Sequence, residues 1–443
     1  MVAVATGAAR AANRVYWSNY DGNTISFANL DGSGSGGQLS TYGATPPNAP
    51  NGVAIDAAAG RIYWASFNPP KVSWARLDGS GGGDLNTAGA TTSLVYGIAL
   101  DPAGGRLYWA NDVAPYISYA RLDGSGGGNL SVAGATVSDP YGIAVDPAGD
   151  RAYFTNNTGT TISYARLDGS GGGDLNTTGA TVNRPQGAAI DPVAGRIYWA
   201  NGIVNTISWA ALNGSGGGNL NTSGATANHP EAVAIDPAAG RIYWVNYSGS
   251  VVSFARLDGT GGGDLATTGA TAANPMFLAL LEAPGAVDAP VLSGGRRQGS
   301  QLSCTSGSWL SDVAPAFLAQ SPETLSYRWT RNGTQVGSGA SFVARRAGAY
   351  TCAVDAANAA GVTSQTSSAH AVLADCVVPR VIGKSLLSAR RAIRNRHCRT
   401  GKVTRAFSAT VARGRVMAQR PRPAKKLPSG AKVRLVVSRG KRR

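Results

Sequence analysis

The chain is short of charge, of histidine and of long apolar runs. Charged residues make up 14% of 443 positions, against about a quarter in an average soluble chain, and there are three histidines. With no Cys-x-x-Cys and no Cys/His cluster, a zinc site is not expected. No Gly-x-Ser-x-Gly occurs, so the usual elbow for a nucleophilic serine is missing. No stretch approaches the roughly 18 apolar residues of a membrane span, so no transmembrane segment is expected and the chain reads as soluble. Acidic residues are absent from the last 68 positions.

What is present is glycine, at 60 residues about twice the average share, and 43% hydrophobic residues, enough for real cores. The net charge of +16 is divided unevenly. Residues 1–289 carry 13 basic and 20 acidic side chains, residues 290–375 carry 6 and 4, and residues 376–443 carry 21 and none. The chain is therefore not one basic globule, and its length predicts two to four domains.

An internal repeat organises the N-terminal three-fifths. Arg14-Val-Tyr-Trp17 recurs as Arg61 to Trp64, Arg106 to Trp109, Arg151 to Phe154, Arg196 to Trp199 and Arg241 to Trp244, at intervals of 47, 45, 45, 45 and 45. Each of the six units continues through a run such as Thr206-Ile-Ser-Trp-Ala210, then Leu-Asp-Gly or Leu212-Asn213-Gly214, then a Gly-rich turn, Gly-Ala-Thr and an apolar run. That last run ends in Asp56, Asp101, Asp146, Asp191 or Asp236. Four short runs rich in Val, Ile, Tyr and Trp, separated by Gly, Pro, Asp and Asn, predict four strands joined by tight turns, with no helical period. Six such units make a six-bladed β-propeller over residues 1–288. The repeat opens on a second strand and closes on an extra first strand, Phe277 to Leu281, so the two ends are expected to complete one blade.

The order Gly-(Val/Ile)-Ala-(Ile/Val)-Asp, Tyr-Trp, Ile-x-x-Ala-x-Leu-Asp-Gly resembles the YWTD family, the low-density-lipoprotein-receptor class B repeats. Where that family has Asp after Tyr-Trp-Thr, this chain has Asn19, Ser66, Asn111, Asn156, Asn201 and Asn246. Neutral Asn keeps the turn and puts in question any role that needs the charge.

The five inner-strand aspartates could suggest a metal ring, but four precede proline, and Asp followed by Pro initiates a turn. The Leu-Asp-Gly-Ser-Gly segments open no helix, so they are read as hairpin turns rather than phosphate cradles. Recognition is expected where the units differ. Those positions are the loops after the second strands and the connections ending at Asn51, Tyr96, Tyr141, Gln186, Glu231 and Met276, with Asp139, Arg184 and His229 two residues earlier in three of them. In a propeller both sets emerge on one face, a platform for an unknown protein or glycan. The alternative is a secreted metal-dependent lactonase- or lyase-like propeller using Glu231, His229, Asn51 and Asp139. That donor set is thin, and no catalytic residue, metal or cofactor is expected.

Residues 289–375 follow another grammar. Cys304, Trp329 and Cys352 stand 25 and 23 residues apart, with Tyr350 two before the second Cys. This resembles a bacterial immunoglobulin-like β-sandwich, which implies a Cys304–Cys352 disulfide against Trp329, an enlarged loop from Trp309 to Thr324, and a spacer role. Residues 376–443 resemble a PASTA domain, a small α+β module, through Val378-Pro-Arg-Val-Ile-Gly383, a helix capped by Ser385 with Leu386, Ala389 and Ile393 on one face, Gly401-Lys-Val403, Gly414 to Gln419 and Gly430 to Ser438. The resemblance implies noncovalent binding to peptidoglycan. The charge adds affinity for anionic wall polymers, steeply dependent on salt. The single aromatic here, Phe407, offers no base-stacking platform, so specific nucleic-acid binding is not expected.

Four cysteines allow three pairings. The domain assignments select Cys304 with Cys352 and Cys376 with Cys398, which implies an oxidising compartment. Met1 to Asn13 lacks a basic start and a full apolar core, so a complete signal peptide is not present, and the export signal is expected upstream or already removed. The whole reads as a secreted, non-catalytic, monomeric bacterial surface protein, mainly β.

Overall fold

The computed structural model describes residues 13–442 apart from 34–35, 114–115, 193, 238 and 310–323. They fall into two compact units, one holding the residues up to Val287 with Ser308–Thr324 and Ala356–Thr363, and one holding Asp288–Gly307, Leu325–Asp355 and Ser364–Arg443.

The first unit contains six four-stranded antiparallel sheets, such as Pro50–Asp56, Arg61–Ser66, Lys71–Arg76 and Gly82–Asp84. The inner strands touch in cyclic order, from Pro50–Asp56 through Val95–Asp101, Pro140–Asp146, Pro185–Asp191 and Pro230–Asp236 to Pro275–Leu281, which returns to Pro50–Asp56. This is a closed six-bladed propeller. Arg14–Asn19 pairs with Pro275–Leu281, so the first and last strands share a blade as expected.

Each second strand is covered on both faces by neighbouring sheets, which explains its nearly unbroken apolar reading. Trp17, Trp64, Trp109, Phe154, Trp199 and Trp244 are fully buried, and burying each ring is worth about 2–3 kcal/mol. Four of the Trp Nε1 groups donate to a threonine carbonyl of the loop ahead of the inner strand, as Trp199 does to Thr181 O at 3.0 Å. In the blade of Pro50–Asp56, where that loop reads Thr45-Pro46-Pro47, Trp64 Nε1 is buried without a partner.

The Asn that departs from the resembled family is a repeated internal clasp. Asn201 Oδ1 accepts from Asn183 N at 3.0 Å, and its Nδ2 donates to Ser208 Oγ at 2.9 Å, with the same pattern at Asn111, Asn156 and Asn246. The five inner-strand aspartates each accept the backbone N–H three residues on, at 2.8–3.0 Å, as turn initiators do. Asp31, Asp78, Asp123, Asp168 and Asp258 accept from the residue two on, in hairpin turns. All six arginines that open the second strands lie over the aromatic ring of the adjacent strand, at 4.0–4.8 Å.

In the second unit, a sheet of Leu292–Gly294, Ser300–Cys304 and Ser341–Ala344 is joined by the Cys304–Cys352 disulfide to a sheet that contains Thr324–Arg331 and Gly348–Asn358. Trp329 is fully buried, and the Tyr350 hydroxyl donates to Arg346 O at 2.7 Å. Trp309, expected at the start of an enlarged loop, is instead buried in a short strand, Ser308–Trp309, paired with Ala286–Asp288. Positions 310–323 of that expectation lie outside the described residues, as do residues 1–12 of the signal-peptide reading.

Further on, a helix, Leu386–Arg394, is capped by Ser385, whose side chain accepts from Ser388 N, and buries Ala389 and Ile393. They pack with Val416, Val433, Leu435 and Val437 of a three-stranded sheet in which Lys432–Ser438 is central, parallel to Arg399–Ala406 and antiparallel to Val416–Arg420. Cys376 and Cys398 are bonded.

Candidate ligand-binding faces

Strand register decides which propeller loops share an end. Pro140 pairs with Asn156, Pro185 with Asn201 and Pro230 with Asn246, so the start of each inner strand lies beside the end of its second strand. The loops after the second strands and the connections before the inner strands therefore form one mouth, as expected from the sequence. The repeated arginines open the second strands at the opposite end.

Asn51, Tyr96, Tyr141, Gln186, Glu231 and Met276 share one register position, the second residue of each inner strand. All except half-buried Tyr96 are buried. The reason is Tyr141. Its ring stacks on Tyr96 at 4.3 Å and on Phe277, from the blade diametrically opposite, at 5.7 Å, while its hydroxyl donates to Glu231 Oε2 at 2.9 Å. Tyr141 thus crosses the channel and forms a floor just inside the mouth, bonded to Glu231 and sharing one apolar cluster with Met276 and Phe277. Two acceptors in this ring, Asn51 Oδ1 and Gln186 Oε1, are buried without a partner.

Above the floor the mouth is aromatic and acidic. Tyr20 meets Phe67 edge-on at 6.1 Å, and Phe67 meets Tyr96 at 6.4 Å. Across the mouth, His229 packs on Tyr247 at 5.6 Å and bonds Glu231 Oε1 through Nε2 at 3.3 Å. Tyr20, Phe67, Tyr247 and Asp112 were not singled out from the sequence. The signal was available: all four stand at the first position after the second strand, filled by Tyr20, Phe67, Asp112, Asn157, Gly202 and Tyr247, directly after an Asn in five of the six units. Asp139 is half-buried and Arg184 exposed.

The electrostatics follow from this crowding. Burial, reinforced by Asp112, pushes Tyr96 up to about 12. Burial and the Glu231 carboxylate raise Tyr141 well above a normal phenol. Burial and the neighbouring Asp139 carboxylate raise Asp112, whereas the Glu231 hydrogen bond raises His229. Among the described residues no three His, Cys, Asp or Glu side chains converge as metal ligands.

The second candidate face is on the C-terminal segment. Arg420, Pro421, Arg422, Lys425, Lys432 and Arg434 line a shallow cavity of about 660 Å³ at one edge of the small sheet. No acidic side chain exists from residue 376 onward to neutralise it. The capped helix, the order of the strands around it and its buried face together decide the assignment, and residues 377–439 match the PASTA domain family. This segment is a PASTA domain. The only aromatic of the PASTA region, Phe407, lies 5.7 Å from Arg439 and 6.0 Å from Arg442.

Three solved structures are similar to the propeller part. A nidogen/laminin complex aligns at 18% identity and TM-score 0.48, over 60% of this chain and 97% of that one. A catalytically inactive variant of virginiamycin B lyase from Staphylococcus aureus with quinupristin aligns at 15% and 0.41, over 61% and 94%. A Lactobacillus plantarum protein aligns at 13% and 0.42, over 61% and 99%. No curated protein matches the chain. No helix among the described residues is long and apolar enough to cross a membrane.

Proposed function

We propose that this is a secreted, wall-associated binding protein whose PASTA domain holds peptidoglycan or an anionic wall polymer while the propeller mouth, through Tyr96, Asp139, Arg184, His229 and the ring beneath them, engages a protein or glycan. The disulfide-linked sheets around Trp329 act as an immunoglobulin-like spacer, and the propeller is of the YWTD type. The observation that carries the reading is the basic cavity at Arg420 to Arg434 in a domain without acidic side chains, a surface complementary to a polyanion. The two disulfides fit an oxidising, extracellular compartment. The non-catalytic reading of the propeller is supported by Tyr141, which occupies the channel where a metal-dependent propeller enzyme would need open space.

Sedimentation with purified cell walls tests the anchoring. The full chain is expected to co-sediment and a chain ending at Asp375 to stay in solution; equal sedimentation of both would overturn it. Elemental analysis of the purified protein tests the non-catalytic reading: a stoichiometric metal lost in Glu231→Ala would replace it with the lyase-like one.

A further inference from the structure

The propeller stacks an arginine on an aromatic ring six times at one end of its blades and leaves the opposite end with rings and carboxylates but without that cation. At the mouth, Tyr20, Phe67, Tyr96 and Tyr247 are half-buried, so part of each ring faces solvent. Four carboxylates lie among them: Asp112, whose N–H donates to Leu94 O two residues before Tyr96; Asp139, two residues before Tyr141; Glu231, bonded to Tyr141; and Asp21, next to Tyr20, whose carboxylate accepts from Asn274 Nδ2. The cations of this end are spoken for or peripheral. Lys71 is bonded to Asp84 at 2.8 Å, Arg184 is exposed, and the His229 imidazole is bonded to Glu231. Asp112 and Asp139 crowd each other, and among the described residues neither has an ion pair with Lys or Arg. In the inner-strand ring beneath them, Asn51 Oδ1 and Gln186 Oε1 are more than nine-tenths buried and lack donors. Rings, uncompensated carboxylates and unfilled acceptors all call for the same group, a cation rich in N–H donors with an apolar stem.

We propose that the mouth is a docking site for lysine or arginine side chains of an extended basic peptide segment. This rests on the reading of the mouth as a binding face and names its ligand class. The Tyr141 floor makes the well shallow, deep enough for the end of a side chain. Its carboxylates are spread over successive loops, at Asp21, Asp112 and Asp139, which suits several cations spaced along one backbone better than one small cation. One basic side chain would sit over the faces of Tyr96 and Phe67 beside the Asp112 and Asp139 pair, and another would reach Asp21 beside Tyr20 and Tyr247.

The test is calorimetric titration of the full chain with blocked hexalysine and, as a neutral control, hexaglutamine. Saturable one-to-one binding of hexalysine alone is expected, weakened about tenfold by Tyr96→Leu and about as much by Asp139→Asn, and more strongly at higher salt. The two variants alter different groups, and unchanged thermal unfolding confirms that each is folded. Hexalysine binding that is absent, or equal in both variants and the parent, overturns the proposal. If hexalysine fails but a neutral glycan or a protein without exposed basic residues binds and is lost in Tyr96→Leu, the cationic ligand is wrong and the binding face stands. If low salt produces a dimer that hexalysine dissolves and Asp139→Asn abolishes, the occupant is the basic segment of a second copy, and the foreign peptide is wrong.

Discussion

In the propeller, Arg14, Arg61, Arg106, Arg151, Arg196 and Arg241 each lie on a ring of the next strand, Lys71 is bonded to Asp84, and the turn aspartates are bound to backbone N–H groups. In the PASTA domain, 21 cationic side chains share 68 residues with no acidic one, and among the described residues no ion pair involves any of them. Repetition accounts for the first pattern. A charge that recurs at one position of a blade acquires the same partner six times, so it is spent on the fold. The charges of the PASTA domain repel one another, gain nothing for its core, and leave their binding capacity to an external anion.

This contrast can be broken experimentally, and the largest effect is expected on the basic side. Reversing Arg420, Lys432 and Arg434 to Glu together should abolish wall co-sedimentation at physiological salt while leaving the far-ultraviolet circular dichroism unchanged; retained binding would show that the charge is incidental. In the propeller, large effects should come from packing. Trp199→Ala, which empties a fully buried site and strands the carbonyl of Thr181, is expected to cost about 3–5 kcal/mol in denaturant unfolding. Asn201→Ala, which removes the clasp between Asn183 N and Ser208 Oγ, should cost about 1–3 kcal/mol by the same measurement. The smallest effect concerns pH. Because Glu231 raises His229 above its unfolded value of 6.5, the pair stabilises fully below that value and its contribution fades as pH rises through the raised one. Melting temperatures from pH 5.5 to 9 should show this modest loss in the parent and not in His229→Gln. A parent curve parallel to the variant's would mean that the pair contributes nothing.

Much of the candidate site could be read in advance because a repeat carries its own control. The second residue of the inner strand is Asn51, Tyr96, Tyr141, Gln186, Glu231 or Met276, while the residue before it is Pro in five of the six units, and that contrast marked the ring at the mouth. What went unread was depth. Tyr96 and Tyr141 look equivalent in sequence, yet one remains at the mouth and the other closes the channel, because Tyr141 meets Phe277 and Glu231 from strands far along the chain. Tyr20, Phe67 and Asp112 fall in the variable loops after the second strands, where recognition was expected, but were not distinguished within them for a related reason. Each lies in a loop of ordinary turn residues, and only the circular arrangement of the blades brings them beside Tyr96.

The amino-acid sequence by itself determined the number of blades, the strand that closes the ring, both cysteine pairings through the resemblances they rest on, and the confinement of positive charge to the last 68 residues. Those properties are local or periodic, since they depend on turn chemistry, on alternation along strands and on residue counts. Tertiary structure alone decided that the channel is floored by Tyr141, that the inner-strand ring is mostly buried, and that rings and carboxylates from separate blades converge above it. Convergence across a closed ring depends on distances between residues some 30 to 140 positions apart, and no pattern along the chain encodes those distances.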